Sequence, residues 1–173
     1  AYVALRNNKQ PGAEQTNAAN PRAANRWGQI IEIVPPQVDG VADHTATECD
    51  WEFFLIAGDP SDPAQSARYL GPVSANGWLA CPDNVAFDPR GRVWIATDGQ
   101  GATAGFSDSL YAADTSGPAR GITRLFFNGP RGAEITGPFF APDGRTLFLY
   151  VQHPANEAGS TFEKPSTRWP DFK

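Results

Sequence analysis

One phrase occurs twice in this chain and constrains its fold more than any other feature. Phe87-Asp88-Pro89-Arg90-Gly91-Arg92 leads into the apolar run Val93-Trp94-Ile95-Ala96, and Phe140-Ala141-Pro142-Asp143-Gly144-Arg145 leads into Leu147-Phe148-Leu149-Tyr150, an offset of 53 residues from Phe87 to Phe140. Pro presets one turn torsion and Gly supplies a positive one, so each copy reads as strand, tight turn, strand. Self-similarity near this period predicts a radial or stacked β architecture. With 17 glycines, 16 prolines and no sustained 3.6-residue apolar period, the chain reads as many short strands joined by turns. Its 173 residues, 40% hydrophobic with five Trp and eleven Phe, supply a sizeable core.

Parsing outward from the repeat gives the strands. Residues 83–87, Val93–Thr97, 110–113 and 121–127 are predicted to form four antiparallel strands, closed by Asn128-Gly129-Pro130. Four strands in about 50 residues make one propeller blade. Downstream, Glu134–Phe140 repeats the first strand and 147–151 the second; upstream, 51–57 matches a fourth, 28–34 a third and Tyr2–Leu5 a second. The expected fold is all-β: a partial β-propeller of roughly two to two and a half four-stranded blades, with a nine-strand β-sandwich as the alternative. Propellers close with typically four to eight blades, so residues 1–173 are expected to be a segment of a single propeller domain, with blade parts about 1–58, 80–130 and 131–173. The remaining blades or a second copy of the chain would cover the open sheet edges. Residues 8–25, 35–50 and 58–76 are polar and read as surface connections.

Bulk chemistry narrows the function. The formal charge of −5, with only three lysines, argues against a nucleic-acid partner, whose phosphates need a basic face. No apolar run approaches the roughly 20 residues that span a bilayer, so no transmembrane segment is expected. Cys49 and Cys81 lack metal-site spacing, and a disulfide or two free thiols both remain open. Gly99-x-Gly101-x-x-x-Gly105 resembles a phosphate cradle only faintly, with no helix pattern after it. No serine occupies Gly-x-Ser-x-Gly, and no His/Cys cluster has zinc spacing. No catalytic residue is assigned and no organic cofactor site is expected.

In a propeller, loops entering first strands share one face with those leaving second strands. That face collects Asp83 and Asn84, Glu134, and the exits Asn7-Asn8, Thr97-Asp98-Gly99 and Gln152-His153-Pro154. Carboxylates and amides converging there suit a hard cation, since Ca²⁺ takes about six to eight oxygen ligands. The candidate metal ligands are therefore Asp83, Asn84, Glu134 and Asp98. Each has a plainer reading: Asp83-Asn84 and Asp98-Gly99 as turn formers, Glu134 as a solvated carboxylate, and His153, like His44, as a structural histidine.

The phrases also resemble a known family. Asn20-Pro21-Arg22 with Asn25-Arg26-Trp27-Gly28, the run Trp51-Glu52-Phe53-Phe54-Leu55-Ile56-Ala57-Gly58-Asp59-Pro60 and Cys81-Pro82-Asp83-Asn84-Val85-Ala86-Phe87-Asp88 look like PhoX-type alkaline phosphatases. So do Trp94-Ile95-Ala96-Thr97-Asp98-Gly99, Glu134-x-Thr136-Gly137-Pro138, Val151-Gln152-His153-Pro154 and Pro165-Ser166-Thr167-Arg168-Trp169-Pro170. The match is in order, covers nearly the whole chain and corresponds to the C-terminal part of such proteins. It implies a periplasmic or secreted phosphomonoesterase, exported by the twin-arginine route, that uses Ca²⁺ and an Fe³⁺ pair on a phosphate monoester. The chain alone is expected to carry at most a partial Ca²⁺ site and no activity. Asp83 matches the Asp of the family's Pro-Asp-Asn phrase, and Asn84, Glu134 and Asp98 are further carry-overs. The family's cysteine ligand and Arg/Glu pair lie upstream of Ala1, so Cys49 and Cys81 do not inherit that role. Arg6 departs from the pattern, standing where a small polar residue is expected before the Asn pair. Two other readings stay open: a non-enzymatic binding or assembly module, and a calcium-dependent lactonase-type propeller.

Overall fold

A computed structural model describes residues 1–7 and 16–171. Asn8, expected beside Asn7 at a strand exit, and Lys173 lie outside the described residues. The elements run β1 (Tyr2–Leu5), β2 (Gln29–Val34), β3 (Gln37–Val38), β4 (Val41–Ala42), β5 (Asp50–Ile56), a 3₁₀ turn (Pro63–Gln65) and β6 (Arg68–Tyr69). They continue with β7 (Pro82–Phe87), β8 (Val93–Thr97), α1 (Gln100–Ala104), β9 (Ser109–Ala113), β10 (Thr123–Asn128), β11 (Glu134–Phe140) and β12 (Leu147–Gln152). All strand pairing is antiparallel, in sheets ordered β1-β2-β5-β6, β7-β8-β9-β10, β11-β12 and the small hairpin β3-β4. The chain is an all-β, partial propeller-like fan.

Burial explains why the sheets stack as blades. Val-Trp-Ile-Ala-Thr in β8 is buried throughout, because alternate side chains leave opposite faces of the strand. Val93 and Ile95 join Ile30, Phe54, Leu55 and Tyr111 in a core shared with the first sheet. Trp94 and Ala96 join Leu110 and Ile135 in a second core against β11 and β12. Each fully buried aliphatic side chain here contributes about 2 kcal/mol. The phase of the blades also follows the sequence parse. Tyr2, at the start of β1, stacks edge-on against Phe87 at the end of β7, so β1 runs opposite to β7 as a second strand does. β1 packs beside β7 as β8 packs beside β11.

Several elements were not foreseen. β6 adds an outer strand to the first sheet, and β3-β4 forms a hairpin; both lie in stretches read as loops, and two-residue strands are too short to show a period. A five-residue helix follows Gly99, again too short for a helical pattern. Both cysteines are free, Cys49 exposed and Cys81 buried. The Asn20-Pro21-Arg22 phrase is structural: the Arg22 guanidinium donates to the carbonyls of Ala57, Gln65 and Gly28 at 2.7–2.8 Å, clamping its loop onto the first sheet.

The repeated phrases form the expected turns. Gly91 (φ 78°) and Gly144 (φ 65°) take the positive torsion, and their amides donate to Asp88 and Ala141 carbonyls at 2.9 Å. The two turns touch, since a Cβ on Gly144 would sit 3.1 Å from Pro89. Asp88 makes the first copy a hub: its carboxylate accepts from Arg90 N (2.9 Å), Arg92 N (3.0 Å), Arg92 Nε (2.6 Å) and Trp94 Nε1 (3.0 Å). Burial alone would raise its pKa, but these hydrogen bonds outweigh it and hold the carboxyl below its ordinary range.

Asp88→Ala leaves the buried Trp94 N–H unpaired and is expected to cost about 1–3 kcal/mol. Because the folded pKa is depressed, Asp88 stabilises the fold above its unfolded pKa and loses that contribution as pH falls through the folded value. Urea denaturation of wild type and Asp88→Ala at pH 7 and pH 3 checks this: the gap between them should narrow in acid.

Candidate metal centre

Asp83, Asp98 and Glu134 reach one point from three strand ends, each by a different backbone device. β7 and β8 pair Pro82 with Thr97 and Asn84 with Ala96, which leaves Asp83 as the extra residue of a β-bulge. A bulge bends its strand and re-aims the side chain. Cys81, just before it, has φ 54°, and its carbonyl accepts the Asp98 N–H at 3.1 Å, which seats Asp98 beside the bulge. Glu134 opens β11 and pairs with Gln152, the last residue of β12. One carboxylate oxygen from each of the three lies within 4.8 Å of the others, and all three side chains are half-buried.

Asn84 is placed differently. Its Nδ2 donates to Asp83 Oδ2 (3.0 Å), while its Oδ1 accepts from Thr136 Oγ1 and from Gly137 N (3.2 Å). The amide therefore ties β7 to β11 at a second bulge, between Thr136 and Phe139, and orients Asp83. Around Glu134, Gln152 Nε2 donates to Oε2 at 2.8 Å, and His153 Nε2 lies 3.5 Å from the same oxygen. Burial raises the Glu134 pKa, the negative charges of Asp98 and Asp83 raise it further, and His153 opposes them. His44, in the connection between β4 and β5, contributes nothing to this group.

Two neighbours were missed from sequence. Arg6 pairs with Asp98 through its guanidinium, and its only signal was its departure from the family phrase. Buried Asp108 accepts from Thr97 Oγ1 (2.8 Å), Gly99 N (3.0 Å) and Gln100 N (2.8 Å). The Gly99 and Gln100 amides are thus taken by the protein's own carboxylate and are not free for a phosphate. Burial pushes the Asp108 pKa up against those hydrogen bonds. Cys81 is turned elsewhere, its Sγ 3.4 Å from the Arg26 carbonyl and 3.5 Å from Thr103 Oγ1. A cleft of about 950 Å³ opens beside Asp98 and His153, lined further by Phe106, Asn128, Arg131 and Asn156.

Fold and site together define a class: a fan of antiparallel sheets that gathers three carboxylates, Asp83, Asp98 and Glu134, at its strand ends. The sequence profile of the family described as alkaline phosphatase PhoX matches residues 1–155, and the chain belongs to that family. Among solved structures it is similar to Pseudomonas fluorescens PhoX in complex with vanadate, a transition state analogue, with a TM-score of 0.71 and 35% identity. That alignment covers 93% of this chain and 28% of the other, so the chain spans a little over a quarter of that protein's length. No curated protein matches it. No helix among the described residues is long and apolar enough to cross a membrane.

Asn84→Ala removes the link between β7 and β11 together with the Asp83 contact. It is expected to destabilise the fold by about 2 kcal/mol. A lowered urea midpoint, set against an unchanged midpoint for exposed Glu48→Ala, checks this.

Proposed function

We propose that this chain is the C-terminal segment of a PhoX-type phosphomonoesterase and that Asp83, Asp98 and Glu134 are its share of a calcium-binding centre. The observation that carries the reading is the convergence of three carboxylate oxygens within 4.8 Å at strand ends. Their donor chemistry fits: hard oxygens suit Ca²⁺, which takes about six to eight of them, and an Fe³⁺ ion accepts carboxylate as well. Three side chains fill only part of such a shell. The remaining ligands would come from elsewhere in the longer protein, and the chain alone is inactive in this reading.

The chemistry a bound cation supplies is electrostatic, offsetting charge on a phosphoryl group. This chain's residues prepare that place. The bulge aims Asp83, Asn84 holds one of its oxygens, Gln152 steadies Glu134, and the adjoining cleft leaves room for the alcohol portion of a phosphate monoester. Export to the periplasm by the twin-arginine route belongs to the same proposal, as does coverage of the third sheet by further blades or a second copy. In support of that coverage, Phe148 and Tyr150 stand at the repeat positions of Trp94 and Ala96, yet are 57% and 69% exposed where Trp94 and Ala96 are buried.

The test is p-nitrophenyl phosphate hydrolysis by the full-length parent with and without Ca²⁺, alongside its Asp83→Ala variant. Calcium-dependent turnover is expected, and the variant should lose about tenfold or more in both calcium affinity and turnover. An unchanged calcium titration in Asp83→Ala would remove Asp83 from the ligand set. Lactone cleavage without phosphate release would replace the phosphatase reading by the lactonase one.

A further inference from the structure

The carboxylate centre already has a cation beside it. Arg6 follows β1 directly, and its guanidinium grips a single residue twice: Nε donates to the Asp98 carbonyl at 2.8 Å and Nη2 pairs with Asp98 Oδ2. The guanidinium passes close to Gly99, where a Cβ would lie 3.4 Å from Nη2. The Asp98 backbone is seated here as well, its amide held by the Cys81 carbonyl. The Arg6 side chain is 40% exposed and Asp98 23%, so the pair sits at the rim of the centre, open to solvent from one side.

We infer that Arg6 is a built-in competitor for the carboxylate centre: it occupies Asp98 and thereby sets the affinity of Asp83, Asp98 and Glu134 for a divalent cation. The inference rests on the calcium-centre reading and adds a regulatory residue to it. Its basis is charge counting. Three ionised carboxylates present −3 to an incoming ion, and the guanidinium reduces this to −2. The affinity of oxygen-ligand sites for Ca²⁺ follows the count of ligand charges and their freedom to coordinate. A guanidinium is charged at every pH at which proteins fold, so competition is relieved only when a cation displaces it from Asp98. At the rim it can swing outward, where its planar fork suits two oxygens of an anion such as a phosphate ester.

The experiment is a titration of the full-length parent, which carries the rest of the shell, with Ca²⁺ by calorimetry, and with Tb³⁺ by luminescence sensitised through tryptophan, with folding of each variant checked by circular dichroism. Arg6→Gln is expected to tighten binding about tenfold at low ionic strength, and Arg6→Lys to keep most of the wild-type weakness. The gain should vanish when Arg6→Gln is combined with Asp98→Asn, an outcome that a merely structural role for Arg6 would not produce. Binding equal to or weaker than wild type in a folded Arg6→Gln protein overturns the inference while leaving the calcium centre standing. Absence of binding in wild type and Arg6→Gln alike overturns both. Tight wild-type binding that survives Asp83→Ala removes the calcium-centre reading, and this inference with it.

Discussion

The structure depends on β8 being buried on both faces. A strand in that position must offer apolar side chains alternately to two neighbours, and Val93, Trp94, Ile95 and Ala96 do so. Because one strand feeds two cores, the three large sheets are held at fixed mutual positions. Trp94 shows the coupling most directly: its ring packs edge-on against Phe126 and Phe140, from sheets on either side of the second core, while its N–H is held by Asp88 in the repeated turn. The turn, the core and the blade stacking are one cooperative unit.

That stacking brings the inner-strand ends together and makes the acidic centre unavoidable. Three carboxylates within 4.8 Å repel one another, and the raised Glu134 pKa is the signature of that repulsion added to burial. The fold tolerates it because the backbone is fixed independently of the charges. Asp83 is extruded by a bulge, Asp98 is seated by the Cys81 carbonyl, and Glu134 is held by the pairing of β11 with β12. In the calcium-centre reading such a site is preorganised, and its repulsion is relieved when positive charge arrives. Arg6 is the positive charge that this sequence itself brings.

Much of this was legible residue by residue. Phe87 through Ala96 and its repeat showed the turns, the strand directions and the blade phase, because Pro, Gly and period-two apolar patterns are local signals. Asp83, Asp98 and Glu134 were placed on a common face because strand ends in a blade are related by topology. Asn84 was expected as a ligand candidate on the same grounds, yet its amide is spent on Thr136, Gly137 and Asp83, since side-chain hydrogen bonds across sheets leave no trace in local sequence. β6 and the β3-β4 hairpin were hidden because strands of two residues have no period, and the helix after Gly99 because a single turn has none either.

The sequence by itself determined the class of fold, the positions of the turns and the family, since all three rest on patterns within short segments or on phrases repeated in order. Only the tertiary structure decided which acidic groups meet, that Asp83 reaches the centre by a bulge, that Asp108 takes the Gly99 and Gln100 amides, and that Arg6 lies against Asp98. Those outcomes depend on sheet packing between residues 92 positions apart, as Arg6 and Asp98 are, and distances across a packed interface are set by the sum of many contacts, not by the residues that use them.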